Sequence, residues 1–131
     1  MKINEVLPKD KFDLDSVQKL YKYSDTEILS IGKELLLWLQ DMNWPVAQEL
    51  APILANYTNQ LKDYIIEILI GKDEMWKYWV LHNMLYNSKG KIDSKLIAQI
   101  MRIANNPTQA ETEHEVDIIC KEILDNLGTN P

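Results

Sequence analysis

Cysteine is nearly absent from this chain of 131 residues. Cys120 stands alone, so an internal disulfide is excluded and a reducing, cytoplasmic home is expected. Arginine is equally scarce. Arg102 is the only one, the lysines are scattered, and the net charge is −6 from 20 acidic and 14 basic residues. A phosphate-backbone binder carries a basic stripe, so no nucleic acid is expected as a partner. With only four glycines and five prolines, the chain lacks the turn residues that a many-stranded β fold requires. It also lacks any apolar run of about 18 residues, so no membrane span is expected. Met1 to Pro8 shows no apolar h-region of a secretory leader. Gly-x-Ser-x-Gly, a phosphate-cradling glycine loop and His-Glu-x-x-His are all missing, so no catalytic residue, cofactor or metal is assigned.

What remains is helical. The hydrophobic fraction of 46% suffices for one packed core, and the length suits one domain over 1–131. Residues 1–12 read as an extended lead-in and 128–131 as a tail. Asp13 is a plausible N-cap for a first helix carrying Leu14, Val17 and Leu20. Ser24 with Glu27 forms a capping box for a second helix, expected to run to about Gln40 through Gly32. Asn43 and Pro45 open a third, which Pro52 should kink or break. A fourth spans about Asn59 to Ile70 and stops at Gly71. The fifth, about Asp73 to Tyr86, is apolar around most of its circumference and belongs in the middle of the protein. Asp93 or Ser94 caps a sixth that ends at Asn105-Asn106-Pro107. A last helix, acidic in its first turns, carries Val116, Ile119, Cys120, Ile123 and Leu124 on one stripe.

Asp41-Met42-Asn43-Trp44 and Asp73-Glu74-Met75-Trp76 are similar tetrapeptides, 32 residues apart, each at a helix start. At the same offset, Ile65, Ile68 and Leu69 align with Ile97, Ile100 and Met101. The expected fold class is therefore all-α, a HEAT/ARM-like α-α superhelix of about seven helices, with a non-repetitive bundle as the alternative. Leu7-Pro8-Lys9-Asp10-Lys11, Trp38 through Ala47, Trp76-Lys77-Tyr78-Trp79 and Asn105-Asn106-Pro107-Thr108 carry a resemblance as well. On these blocks the chain resembles the bacterial domain of unknown function 5071, a set of small proteins similar to HEAT-type repeats. The likeness runs from about Leu7 to Leu124, and Asp-Met-Asn-Trp-Pro is its most specific element. The resemblance implies a curved helical stack in a bacterial cytoplasm and supplies no reaction.

Four tryptophans are many for this length. Trp38, Trp44, Trp76 and Trp79 read first as core fillers. The sharper reading groups Asp41, Asn43, Trp44, Asp73, Trp76, Trp79 and Asn83 as a binding rim, since aromatic residues beside polar ones compose interaction hot spots. Asp41 and Asp73, converging across stacked turns, would be the one enzyme-like pair, although Asp at a helix start is usually a cap. His82 reads as a packed or partly exposed histidine. Glu111, His114 and Asp117 share a helical face that could hold a divalent metal weakly, but a solvated acidic face is the favoured reading. Cys120 should be a buried, inert thiol. The expectation is a non-enzymatic domain that binds another protein, a toxin-neutralising partner being one concrete version. The alternative is a small ligand-binding protein or hydrolase with an Asp/Asn/Trp-lined pocket. The oligomeric state is left open.

Overall fold

A computed structural model of the chain describes residues 3–86, 88 and 90–128. Among these, nine α-helices and no strands occur. They are α1 (Leu14–Lys19), α2 (Asp25–Ser30), α3 (Gly32–Leu36), α4 (Pro45–Ala55), α5 (Lys62–Ile70), α6 (Glu74–Val80), α7 (Ser94–Asn105), α8 (Gln109–Glu113) and α9 (Val116–Asn126). Short 3-10 turns precede α1 at Ile3–Val6 and extend α1 and α3 at Leu20–Lys22 and Leu37–Gln40, while a π-helical turn, Leu81–Leu85, extends α6. None of these helices is long and apolar enough to cross a membrane. In one row, α1 packs on α4, α4 on the π turn after α6, and that turn on α9; α5 packs on α7 alongside. Leu20, Leu35, Leu50, Leu54, Ile65, Leu69, Leu81 and Ile100 fill the space between them.

Local signals account for most of the starts. Asp13, Ser24, Asp73 and Asp93 each accept a backbone N–H in the first turn of the helix that follows, satisfying a donor that has no intrahelical partner. The helix expected from Asn43 starts differently. Trp44 occupies the cap position without a side-chain bond, and the Val46 N–H donates instead to the Lys11 carbonyl at 3.0 Å. The lead-in is thus not extended throughout: it turns at Ile3–Val6, buries Val6, and caps α4 with its backbone. Pro52 is accommodated, and α4 runs through it to Ala55. Of the expected tail, residues 129–131 lie outside the described residues.

Seven expected helices become nine because two of them break. The second breaks at Ile31, whose φ and ψ of −117° and 17° leave the helical region. A Cβ on the next residue, Gly32, would meet Leu61 Cδ2, so the absence of a side chain lets α5's cap residue pack directly on this backbone. The last breaks at His114–Glu115, where Glu115 is left-handed with φ 60°. In an unbroken helix Glu111 and Cys120 would point about 180° apart. With the break, both are fully buried.

Glu111 is the centre of a buried ion cluster. Its Oε1 accepts from Arg102 Nη1 at 2.7 Å and the Thr108 N–H at 2.8 Å. Its Oε2 accepts from Lys77 Nζ at 2.9 Å and Arg102 Nη2 at 3.1 Å. Lys77 also lies 2.9 Å from Glu74 Oε1, an ion pair without hydrogen-bond directionality. Arg102 Nη2 reaches on to the Leu69 carbonyl near the end of α5. Burial alone would raise the Glu111 pKa, but the Arg102, Thr108 and Lys77 donors outweigh it and hold the carboxyl at about 2. The expected solvated acidic face therefore does not hold for Glu111 and Asp117, which are 0% and 8% exposed.

Two outcomes follow from this packing. Gly32→Ala should destabilise the fold by about 1–3 kcal/mol in urea melts, because Leu61 must yield inside a filled core. Glu111 titrates lower in the folded chain than its ordinary 4.5, so its contribution is complete above that value and disappears as pH falls towards about 2. Glu111→Gln should cost about 3–5 kcal/mol at neutral pH and flatten the acid limb of a stability–pH curve.

Candidate functional site

The C-terminal ends of α1, α4 and α6, through their terminal turns, line one groove. Its larger part, a cleft of about 680 Å³, is walled by Pro52, Asn56, Asn59 and Gln60 on one side and Asn83 and Lys91 on the other. A second pocket of about 350 Å³ lies between Leu20, Tyr21, Tyr23 and Asp25 and the end of α4 at Ile53, Asn56 and Tyr57. Pro52 and Asn56 belong to both, so the two are adjoining parts of one edge.

Three consecutive residues after α4 build this edge. Tyr57 donates its hydroxyl to Asp25 Oδ1 at 2.7 Å, and that bond, with burial, raises the phenol pKa above its ordinary value. Thr58 shares its proton between the Ala55 carbonyl at 3.0 Å and the Met84 carbonyl at 3.2 Å. Met84 lies in the π turn, where the Tyr86 N–H reaches back five residues to the Leu81 carbonyl. Such turns occur disproportionately at functional sites. Asn59 donates to the Lys91 carbonyl at 2.7 Å and accepts the Asp93 N–H at 2.9 Å, pinning the segment that leads into α7. Asn83 donates to the Trp79 carbonyl at 2.7 Å, and on the same helix Tyr78, His82 and Tyr86 stack at 5.9 and 5.8 Å.

The residues singled out in the sequence separate between two edges. Asn83 lines the groove. Asp41 and Asp73 lie at the opposite ends of the helices, and neither lines the cavities described. Asp41 Oδ1 accepts the Asn43 N–H at 2.9 Å inside its own turn, and Asp73 caps α6 through the Trp76 N–H at 3.1 Å. Asn43 is exposed. Trp44 packs edge-on against Trp38 at 5.6 Å, while Trp76 donates its indole N–H to the Leu36 carbonyl at 3.0 Å. The two tryptophans thus flank the turn after α3. Trp76 also floors an apolar notch of about 230 Å³ with Leu36, Leu37, Tyr64 and Ile68. Trp79 packs edge-on against Tyr78 at 5.2 Å. His114 is exposed and Cys120 is buried; burial first, then Glu111, pushes the thiol pKa up to about 12. Among the described residues no cluster of three or more metal-ligating side chains forms.

Sequence reasoning missed Tyr57, Thr58 and Asn59 because their partners lie 26 to 34 residues away. One signal was available: Tyr57 to Asp25 and Asn59 to Lys91 both span 32 residues, the offset of the repeated tetrapeptide. The DUF5071 model, a domain of unknown function, matches residues 6–124. The chain belongs to the DUF5071 family. No curated protein matches it. In this DUF5071 chain, the matched stretch contains the whole groove and the whole ion cluster.

Asn59→Ala should release the clamp on residues 91–93. The expected cost is about 1–2 kcal/mol, with faster hydrogen exchange at the Asp93 amide while the Trp76 amide stays protected.

Proposed function

We propose that this protein is a non-enzymatic interaction domain, a HEAT-like stack of helix pairs that receives another protein along the groove at the C-terminal ends of α1, α4 and α6. The stacking is supported by the two rows of helices and by inter-unit hydrogen bonds at the repeat offset of 32 residues. The observation that carries the binding reading is the groove's lining. Asn56, Asn59, Gln60 and Asn83 are amides, whose chemistry is to donate and accept hydrogen bonds, and Asn56 continues into the adjoining pocket lined by Tyr21, Tyr23 and Tyr57. Amide donors and acceptors next to a tyrosine-lined pocket are the composition of a recognition surface for polypeptide. The cytoplasmic, bacterial setting implied by the family resemblance belongs to the same proposal.

A second reading, a small-ligand site, is favoured by one observation. The cleft of about 680 Å³ lies in the size range of ligand pockets.

Asn56 and Gln60 are exposed and can be changed with little effect on the core. The double variant Asn56→Arg, Gln60→Arg should lose a partner that co-purifies with the wild type, by about tenfold or more, with its melting temperature nearly unchanged. Asn43→Arg, at the opposite edge, should retain the partner. Retention by the groove variant would reject the groove. A small molecule that raises the melting temperature of the wild type and not of the variant would establish the second reading instead.

A further inference from the structure

The smaller pocket has a composition different from the rest of the groove. Three tyrosines, Tyr21, Tyr23 and Tyr57, stand around one carboxylate, Asp25. Aromatic faces carry negative potential, and the attraction for a cation is strongest where a carboxylate adds formal charge to it. The last turn of α4 contributes Ile53 and its cap region contributes Asn56 and Tyr57, so the negative end of that helix dipole faces the same space. At the opposing positive end, the start of α2, the Ser24 hydroxyl accepts the Glu27 N–H and the Glu27 carboxylate accepts the Ser24 N–H. Lys22, the neighbouring cation, is exposed and does not line the pocket. The Tyr57 hydroxyl orients Asp25 through Oδ1, and among the described residues Oδ2 has no protein partner. Over longer range, the net charge of −6 favours approach by a basic molecule.

From this geometry we propose that the Tyr21–Tyr23–Tyr57–Asp25 pocket binds the guanidinium of an arginine side chain on the protein partner. The proposal rests on the groove as the binding edge and names the anchor that seats there. Arginine fits better than lysine because its planar, weakly hydrated head can stack on a tyrosine face while pairing sideways with a carboxylate. The pocket of about 350 Å³ has room for the whole side chain. Tyr21 is 68% exposed, so its ring can close over the guanidinium without disturbing the core.

The test is an NMR titration of the full chain with N-acetyl-arginine methylamide and with its neutral isostere, N-acetyl-citrulline methylamide. The arginine probe should shift the ring resonances of Tyr21, Tyr23 and Tyr57 saturably, with citrulline about tenfold weaker or more. Asp25→Asn keeps the acceptor for Tyr57 and the capping box, and should weaken arginine about fivefold or more. Tyr21→Ala should weaken it to a similar degree. Equal binding of the two probes, shifts confined to other residues, or an Asp25→Asn chain that binds arginine as the wild type does would each overturn the proposal. The outcome is separable from that of the groove itself. A partner lost from the Asn56→Arg, Gln60→Arg variant while arginine leaves the tyrosines unmoved would keep the edge and reject its anchor.

Discussion

The Glu111 carboxylate is the constraint around which the second half of this protein is arranged. A buried carboxylate is tolerated only when its lone pairs are answered, and here four donors from three sources answer them. Lys77 brings in α6, Arg102 brings in α7, and the Thr108 N–H closes the capping box that starts α8. Arg102 then ties the Leu69 carbonyl of α5 into the same cluster. Such a set gains little over an apolar core of equal volume, but removing one member leaves another charge buried without its partner. The left-handed Glu115 is a consequence. It is the residue that lets a helix deliver Glu111 inward and then turn so that Val116 and Cys120 also face inward.

The two edges of the helical domain differ in chemistry. At the N-terminal end Asp41 and Asp73 each accept an N–H within their own turn through Oδ1, and Trp76 is bonded to Leu36. At the C-terminal end of α4 the carbonyls of Pro52, Ile53, Leu54 and Ala55 are paired by Asn56, Tyr57 and Thr58, while the amides lining the cleft keep donors and acceptors beyond these bonds. Of the rim residues singled out in the sequence, Asn83 is the one that lines the larger cleft.

The legible parts of the fold are those governed by neighbours in the chain. Ser24 with Glu27, Asp73 and Asp93 cap as their spacing dictates, and Gly71 ends α5. The parts that were not legible are decided by residues far away. Gly32 reads as a tolerated glycine inside a helix until Leu61 is brought against it. Glu111 reads as one of several solvated acids until Lys77 and Arg102 close on it. For the site, the aromatic and amide residue types were visible, but helix periodicity does not reveal which end of a stack they will line. The Asp-x-x-Trp tetrapeptides drew attention to the helix starts because capping leaves a sequence signature. The end of α4 is held by tertiary hydrogen bonds, whose one trace in the sequence is the 32-residue offset of two of them.

Those tertiary bonds are concentrated in Tyr57, Thr58 and Asn59, which face in different directions. Tyr57 binds back to Asp25 at the start of α2, Thr58 binds across to Met84 in the π turn, and Asn59 binds forward to the segment before α7. One tripeptide thereby ties the end of α4 to three separate parts of the chain, beside both pockets. Because Pro52 and Asn56 wall both pockets, a molecule in one meets the same helix end as a molecule in the other. Under the proposed reading, a single extended partner lying along this edge would meet the tyrosine pocket and the amide cleft together.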